Sequence, residues 1–162
     1  MTSFFTEFIS HDPRFNSTTR ISDFQLLETQ MQQKVQSIID DAKAHGIDLM
    51  VYETYRSQAR QELLFNQKAS KLKKVGVHHY GLACDIVKNI NGEPSWKGDF
   101  SILGTLAHAY GLIWGGDWGQ PKLKHSFMDL DHVQLCTVAR QAALFRGEWY
   151  PAGDYDPYKE LK

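Results

Sequence analysis

Cysteine is scarce in this chain of 162 residues, which holds only Cys84 and Cys136. Two thiols cannot build a disulfide framework, and their spacing fits neither a zinc knuckle nor a redox pair, so both read as reduced and buried. Long apolar runs are missing as well: nothing approaches the roughly 20 residues needed to cross a bilayer, which excludes membrane insertion through a helix. The opening MTSFFTEFISHDPRF has no basic stretch followed by an apolar one. The expectation is a protein without a signal peptide, cytoplasmic as synthesised. An excess of charge of either sign is also absent, because the formal net charge is -1. That balance gives no overall attraction to nucleic acid or to anionic lipid.

What is present has the composition of a folded soluble protein, with 42% hydrophobic and 23% charged residues. At this length one core is the default, burying roughly two-thirds of the unfolded surface, and residues 1–162 are read as a single domain and a monomer. Ile21, Phe24, Leu27, Met31, Val35, Ile38 and Ala42 recur at helical spacing. They predict a helix capped by Ser22 or Asp23 and closed at Gly46. The run IDLMVYETY follows as a strand, and Ser57 caps a second helix reaching Gln67. KASKLKK is its frayed end or a loop. Residues 82–87 predict a short strand with an Asn91-Gly92 turn after it. A third helix runs from Ser101 to Tyr110, then LIWGGDWGQPKLKHSF forms an irregular loop. HVQL is a strand, Thr137 to Arg146 a last helix, and the tail EWYPAGDYDPYKELK is expected to lack regular structure. The class is α+β.

Three short segments carry the candidate chemistry: Tyr55-Arg56-Ser57, the stretch from His78 to Asp85, and Asp129-Leu-Asp-His132. A histidine and an aspartate seven residues apart cannot share a helix face, but a loop leading into a strand brings both to one point, and Gly81 makes such a loop feasible. A histidine from a distant strand completes two imidazoles and one carboxylate, the set that leaves zinc an open position for water. Alternation along the strand puts Ala83, Asp85 and Val87 on one face and Leu82, Cys84 and Ile86 on the other, so Cys84 faces away from the metal. Asp129, three residues before His132, is placed to act as general base. Asp131, the immediate neighbour of His132, is expected to point to the opposite face.

These segments resemble the zinc peptidases that include the VanY and VanX D-alanyl-D-alanine peptidases and the phage L-alanyl-D-glutamate endolysins. VGVHHYGLACD matches the family's S-x-H-x-x-G-x-A-x-D stretch at His78, Gly81, Ala83 and Asp85. WGGDW at 114–118 and DLDHVQ, with Asp129 and His132, follow in the family's order. The resemblance is strongest over residues 50–136 and departs from the pattern at Gly76, where the family has serine, and at Gln134, where glutamate is frequent. It implies a small antiparallel sheet with flanking helices, like that of Hedgehog and the D-Ala-D-Ala peptidases, and one Zn2+ per chain on His78, Asp85 and His132. It selects His78 over His79, and implies Asp129 as base and Arg56 as the group that steadies the oxyanion. Tyr55, Ser57 and Tyr80 are candidate substrate contacts, as is Trp118, whose ring its glycine neighbours leave accessible. His108 and His125 are read as non-ligands, with His125 at most touching substrate.

The implied function is hydrolysis of the peptidoglycan stem peptide, first as an endolysin-like L-alanyl-D-glutamate endopeptidase released to the wall by a holin. A D-alanyl-D-alanine carboxypeptidase or dipeptidase and a zinc-stabilised binding module are the alternatives. A Cys-His hydrolase using Cys84 is disfavoured by the strand parity.

Overall fold

The computed structural model describes residues 2–70, 74, 76–118 and 128–161. Its central element is strand β2 (Ala83–Ile90), which has β1 (Leu49–Glu53) on one side and β5 (His132–Gln134) on the other. Strand β4 (Ile113–Trp114) pairs with β5, and β3 (Glu93–Ser95) pairs with the far end of β2. Every pairing is antiparallel, and helices flank the sheet, as an α+β reading requires. Asn91 and Gly92 turn β2 into β3 with φ of 55° and 86°, the positive values that suit an Asn-Gly hairpin.

Helix α2 (Thr29–Ala44) lays Met31, Val35, Ile38 and Ala42 on the core, a spacing of three and four that puts them on one stripe. Ile86 and Val133 from the sheet, Leu135 just past β5 and Leu103 from α4 (Ser101–Ala109) complete that core. The apolar periodicity that starts at Ile21 runs on too early to mark the helix start. Asp23 instead caps a 3-10 turn at Phe24–Leu26, and α2 begins at Thr29 under the carboxylate of Glu28. The Glu28 amide donates to the Gly81 carbonyl at 2.9 Å, which ties this stretch to the loop before β2 and breaks the helical path. Gly46 ends α2 with φ of 80°, as expected of its position.

Elsewhere the correspondence is looser at element ends. Ser57 caps α3 (Gln58–Asn66). Residues 137–146 form a 3-10 turn at Val138–Arg140 followed by α5 (Gln141–Phe145). The N-terminal stretch contains the short helix α1 (Phe4–Glu7). The tail was expected to be irregular, yet Pro157–Glu160 form α6, with Asp156 as its cap and the Tyr158 hydroxyl donating to the Leu112 carbonyl at 2.7 Å. Strands β3 and β4 were not foreseen, being too short to show an alternating pattern.

Candidate metal centre and substrate cleft

The sheet register lines up three acid-base side chains in one row. Asp85 on β2 lies opposite Glu53 on β1 and opposite His132 on β5, so all three belong to one cross-strand set. His78 arrives from a 3-10 turn, Val77–Tyr80, that stops at Gly81 with φ of 73°. A side chain at Gly81 would also meet Ile9 Cδ1 at 2.6 Å and the Leu26 carbonyl at 3.0 Å. Glycine is therefore required twice over, for conformation and for space.

Each imidazole is held by a carbonyl oxygen on the nitrogen that faces away from Asp85. His78 Nδ1 donates to the Thr54 carbonyl at 2.8 Å, which leaves Nε2 without its proton and 3.3 Å from Asp85 Oδ1. His132 Nε2 donates to Gln134 Oε1 at 2.8 Å, which leaves Nδ1 3.4 Å from the same oxygen. Opposite ring nitrogens are thus offered by the two histidines. Asp85 Oδ1 is buried and accepts no hydrogen bond among the described residues, whereas Oδ2 accepts from Arg56 Nη2 at 3.3 Å. Burial alone would raise the Asp85 carboxyl, but His78 and His132 outweigh it and hold it well below the usual carboxylate range. Two lone-pair nitrogens and one orphaned carboxylate oxygen, all within 4.8 Å of one another, form a donor set that fits a divalent metal ion. The fixed outer hydrogen bonds are those that metal-binding imidazoles characteristically make.

A second carboxylate group adjoins the first. Asp85, Asp129 and Asp131 bring oxygens within 4.8 Å of one another. Asp131 was expected on the opposite face, and that is corrected: β5 starts at His132, so the alternation does not extend back to Asp131, which sits in the preceding turn and lines the same cleft. Trp96 Nε1 donates to Asp131 Oδ2 at 2.9 Å. Burial, contact with Asp129 and the charge of Asp85 push the Asp131 carboxyl up to about 8. The WGGDW segment positions this pair. Gly115 accepts the Asp129 amide at 3.0 Å, and a Cβ at Gly115 would lie 2.1 Å from the Asp129 carbonyl oxygen. Trp114 packs its ring on Gly104 and Gly116 and donates Nε1 to the Leu130 carbonyl at 2.8 Å.

The centre opens into a cleft of about 820 Å³. Arg56 lines it, with its guanidinium doubly bonded to the buried Glu53 (2.9 and 3.3 Å) and its Nη1 donating to Gln61 Oε1 at 3.2 Å. Trp118 also lines the cleft, its ring centroid 4.9 Å from that of His132. The other three candidate contacts lie elsewhere. Tyr55 is fully buried, and its hydroxyl donates to the Phe15 carbonyl at 2.6 Å. Ser57 is spent on capping α3 and on a bond to the Ser17 carbonyl. Tyr80 turns into an aromatic group with Phe5 and Phe145, 4.8 and 5.8 Å away between centroids. His79 packs at a tilt against Phe15 and Tyr55, outside the donor set. His108 pairs with Asp117, and His125 lies outside the described residues. Cys84 is buried in the core, where burial raises its thiol well above the ordinary value.

Sequence reasoning missed Glu53, although an acid inside the apolar run LMVYE three residues before an arginine is a usable signal. It also assigned no role to Gln134, whose amide oxygen orients the His132 ring.

A family profile described as VanY, D-alanyl-D-alanine carboxypeptidase, matches residues 25–124. The chain belongs to the VanY family. Among curated relatives, it is 29% identical over 102 residues to the L-alanyl-D-glutamate peptidase of Listeria phage A118, a match over 60% of this chain and 34% of that protein. It thus spans about a third of that relative's length. It is 25% identical over 124 residues to the peptidoglycan L-alanyl-D-glutamate endopeptidase CwlK of Bacillus subtilis strain 168, covering 65% of this chain and 71% of CwlK. The fold is shared with the L-Ala D-Glu endopeptidase ChiX of Serratia marcescens, with a TM-score of 0.54, 19% identity and coverage of 73% and 90% of the two chains. It is shared too with the D,D-pentapeptidase VanY of the VanB-type resistance cassette, solved with Zn(II), with a TM-score of 0.52, 16% identity and coverage of 67% and 71%.

Proposed function

We propose that this VanY-family chain is a zinc-dependent peptidase that cuts the stem peptide of bacterial peptidoglycan at the L-alanyl-D-glutamate bond. The observation that carries the metallopeptidase reading is the convergence of His78 Nε2, His132 Nδ1 and the orphaned Asp85 Oδ1 at the floor of an open cleft. The bond assignment is supported by the two curated relatives, both named for it.

A zinc ion held by those three atoms would supply Lewis acidity to water and to the scissile carbonyl. The chain's own side chains do the rest. Burial, contact with Asp129 and the charge of Asp85 push the Asp131 carboxyl up to about 8, which makes Asp131 the poorer proton acceptor at the cleft wall. The Asp129 carboxylate is then the base that takes a proton from the attacking water and returns it to the leaving nitrogen. Arg56, fixed by Glu53 and Gln61, brings a positive charge to the same wall and offsets negative charge developing on the carbonyl oxygen. Trp118 packs at a tilt against the His132 ring and supplies an apolar surface beside the centre.

The family description favours a second reading, a D-alanyl-D-alanine carboxypeptidase using the same residues. Digestion of purified peptidoglycan with and without a chelator, followed by mass spectrometry of the fragments, separates the two. Chelator-sensitive release of fragments with new D-glutamate amino termini is the expected result. Free D-alanine would select the carboxypeptidase, and intact wall with folded, zinc-loaded protein would reject both.

A further inference from the structure

The cleft wall contributed by α3 holds a cation that the metallopeptidase chemistry does not use. Arg60 lines the cleft, and its side chain is 14% exposed. Its Nε donates to Glu53 Oε2 at 3.1 Å, while its two terminal nitrogens bond no acceptor among the described residues. Glu53 therefore grips two arginines at once, and each carries a different load. Arg56 directs its nitrogens to Glu53, Gln61 and Asp85. Arg60, held only at Nε, presents a planar pair of N–H donors to the cleft, a geometry suited to bidentate capture of a carboxylate. Lys74 lines the same cleft and adds to its positive side.

We propose that Arg60 is a specificity residue that binds a free carboxylate of the substrate, the one carried by the glutamate residue next to the cut bond. The inference rests on the endopeptidase reading above and deepens it. A glutamate within a peptide uses only one of its two carboxyl groups to continue the chain, so the other stays free close to the scissile amide. That anion must enter a cleft already lined by Asp85, Asp129 and Asp131, where an unpaired negative charge is strongly disfavoured. Arg56 has committed its nitrogens and Arg60 has not, so Arg60 is the group that can accept it. The carboxylate at the substrate's C-terminal end offers the same chemistry, and the assay distinguishes the two sources.

The test uses three synthetic stem peptides: one with both carboxylates free, one amidated at the glutamate carboxyl only, and one amidated at the C-terminus only. Zinc-loaded wild type, Arg60→Gln and Arg60→Lys are compared by kcat/KM, with products identified by mass spectrometry and binding measured by calorimetry. For wild type, amidating the glutamate should lower kcat/KM by about 10- to 100-fold, the range for losing a charge-assisted hydrogen-bond pair. Arg60→Gln should lose a similar factor on the free acid and show little further loss on the glutamate amide. Arg60→Lys should recover only part, for want of the fork. C-terminal amidation should leave all three proteins unchanged. Wild type indifferent to glutamate amidation, or Arg60→Gln impaired equally on every peptide, overturns the assignment, and sensitivity to C-terminal amidation alone overturns its source. Should wild type cut no peptide at the alanyl-glutamate bond, the endopeptidase reading fails, and the calorimetric acid-to-amide difference still decides Arg60 independently.

Discussion

Gln134 and His132 stand two residues apart on β5, on the same face, and Gln134 Oε1 accepts the His132 Nε2 proton at 2.8 Å. That bond occupies Nε2 and turns Nδ1 toward Asp85, so Nδ1 is the nitrogen that a metal ion would take in place of a proton. Replacing Gln134 by Leu removes the acceptor without opening space. Zinc affinity, read by competition with a chromophoric chelator, should fall by about 10- to 100-fold. Gln134→Glu should retain most of it, and unchanged affinity in Gln134→Leu would mean that ring packing alone orients the imidazole.

Asp129→Asn should keep zinc bound and lower peptidase turnover by about 10²- to 10⁴-fold, the loss typical of a missing proton acceptor. Metal content by atomic absorption and turnover on wall fragments check the two halves separately. Zinc retained with full turnover would move the base role to another group.

The metal-free centre has a defined pH response. Asp85 is held below its ordinary value of 3.8, so its contribution to stability is complete above that value and is lost as pH falls further. For His132 burial works to lower the ring, but the adjoining Asp85 carboxylate outweighs it and raises it above 6.5. Its contribution is complete below 6.5 and disappears as pH rises through the raised value. Zinc must displace the His132 proton, so the rise in Tm on adding zinc should grow from about pH 5 to about pH 8. Scanning calorimetry across that range measures it, and a pH-independent gain would contradict the ion-pair description.

Glu53 is the buried anion between Arg56 and Arg60, with its side chain 2% exposed. Glu53→Gln leaves two guanidinium groups without their shared partner and should destabilise the protein by about 3–5 kcal/mol, the usual result of breaking a buried ion pair from one side. Urea unfolding monitored by tryptophan fluorescence provides the number, and a change below about 1 kcal/mol would place the network among surface pairs.

Gly115→Ala would put a methyl group 2.1 Å from the Asp129 carbonyl oxygen, a backbone atom that cannot swing aside as a side chain could. The cost should be about 1–3 kcal/mol, as for an overpacked core, with turnover falling further than stability because the segment pushed aside carries Asp129. Paired unfolding and activity measurements test this, and activity that follows stability alone would remove the positioning role of the WGG turn.

Much of this molecule was legible along the chain. The apolar stripe of Met31, Val35, Ile38 and Ala42 and the glycines at positions 46, 81 and 92 are local signals, set by helical period and by backbone conformations that other residues resist. The histidine, glycine and aspartate spacing from His78 to Asp85 was equally legible, because one loop and one strand carry it. Tertiary structure alone decided where Tyr55, Ser57 and Tyr80 go: each lies within two residues of a site residue in sequence, yet each is turned toward the N-terminal segment or the core by packing that no local spacing encodes. It also decided that Glu53, Asp85 and His132 form one row, since antiparallel register joins strands far apart in sequence. Asp131 shows the limit of reading periodicity without boundaries, for alternation holds only inside a strand and β5 begins one residue later. Residue type and spacing thus determined which ligands are on offer, whereas cross-strand register and outer hydrogen bonds decided which nitrogen, which oxygen and which arginine face the cleft.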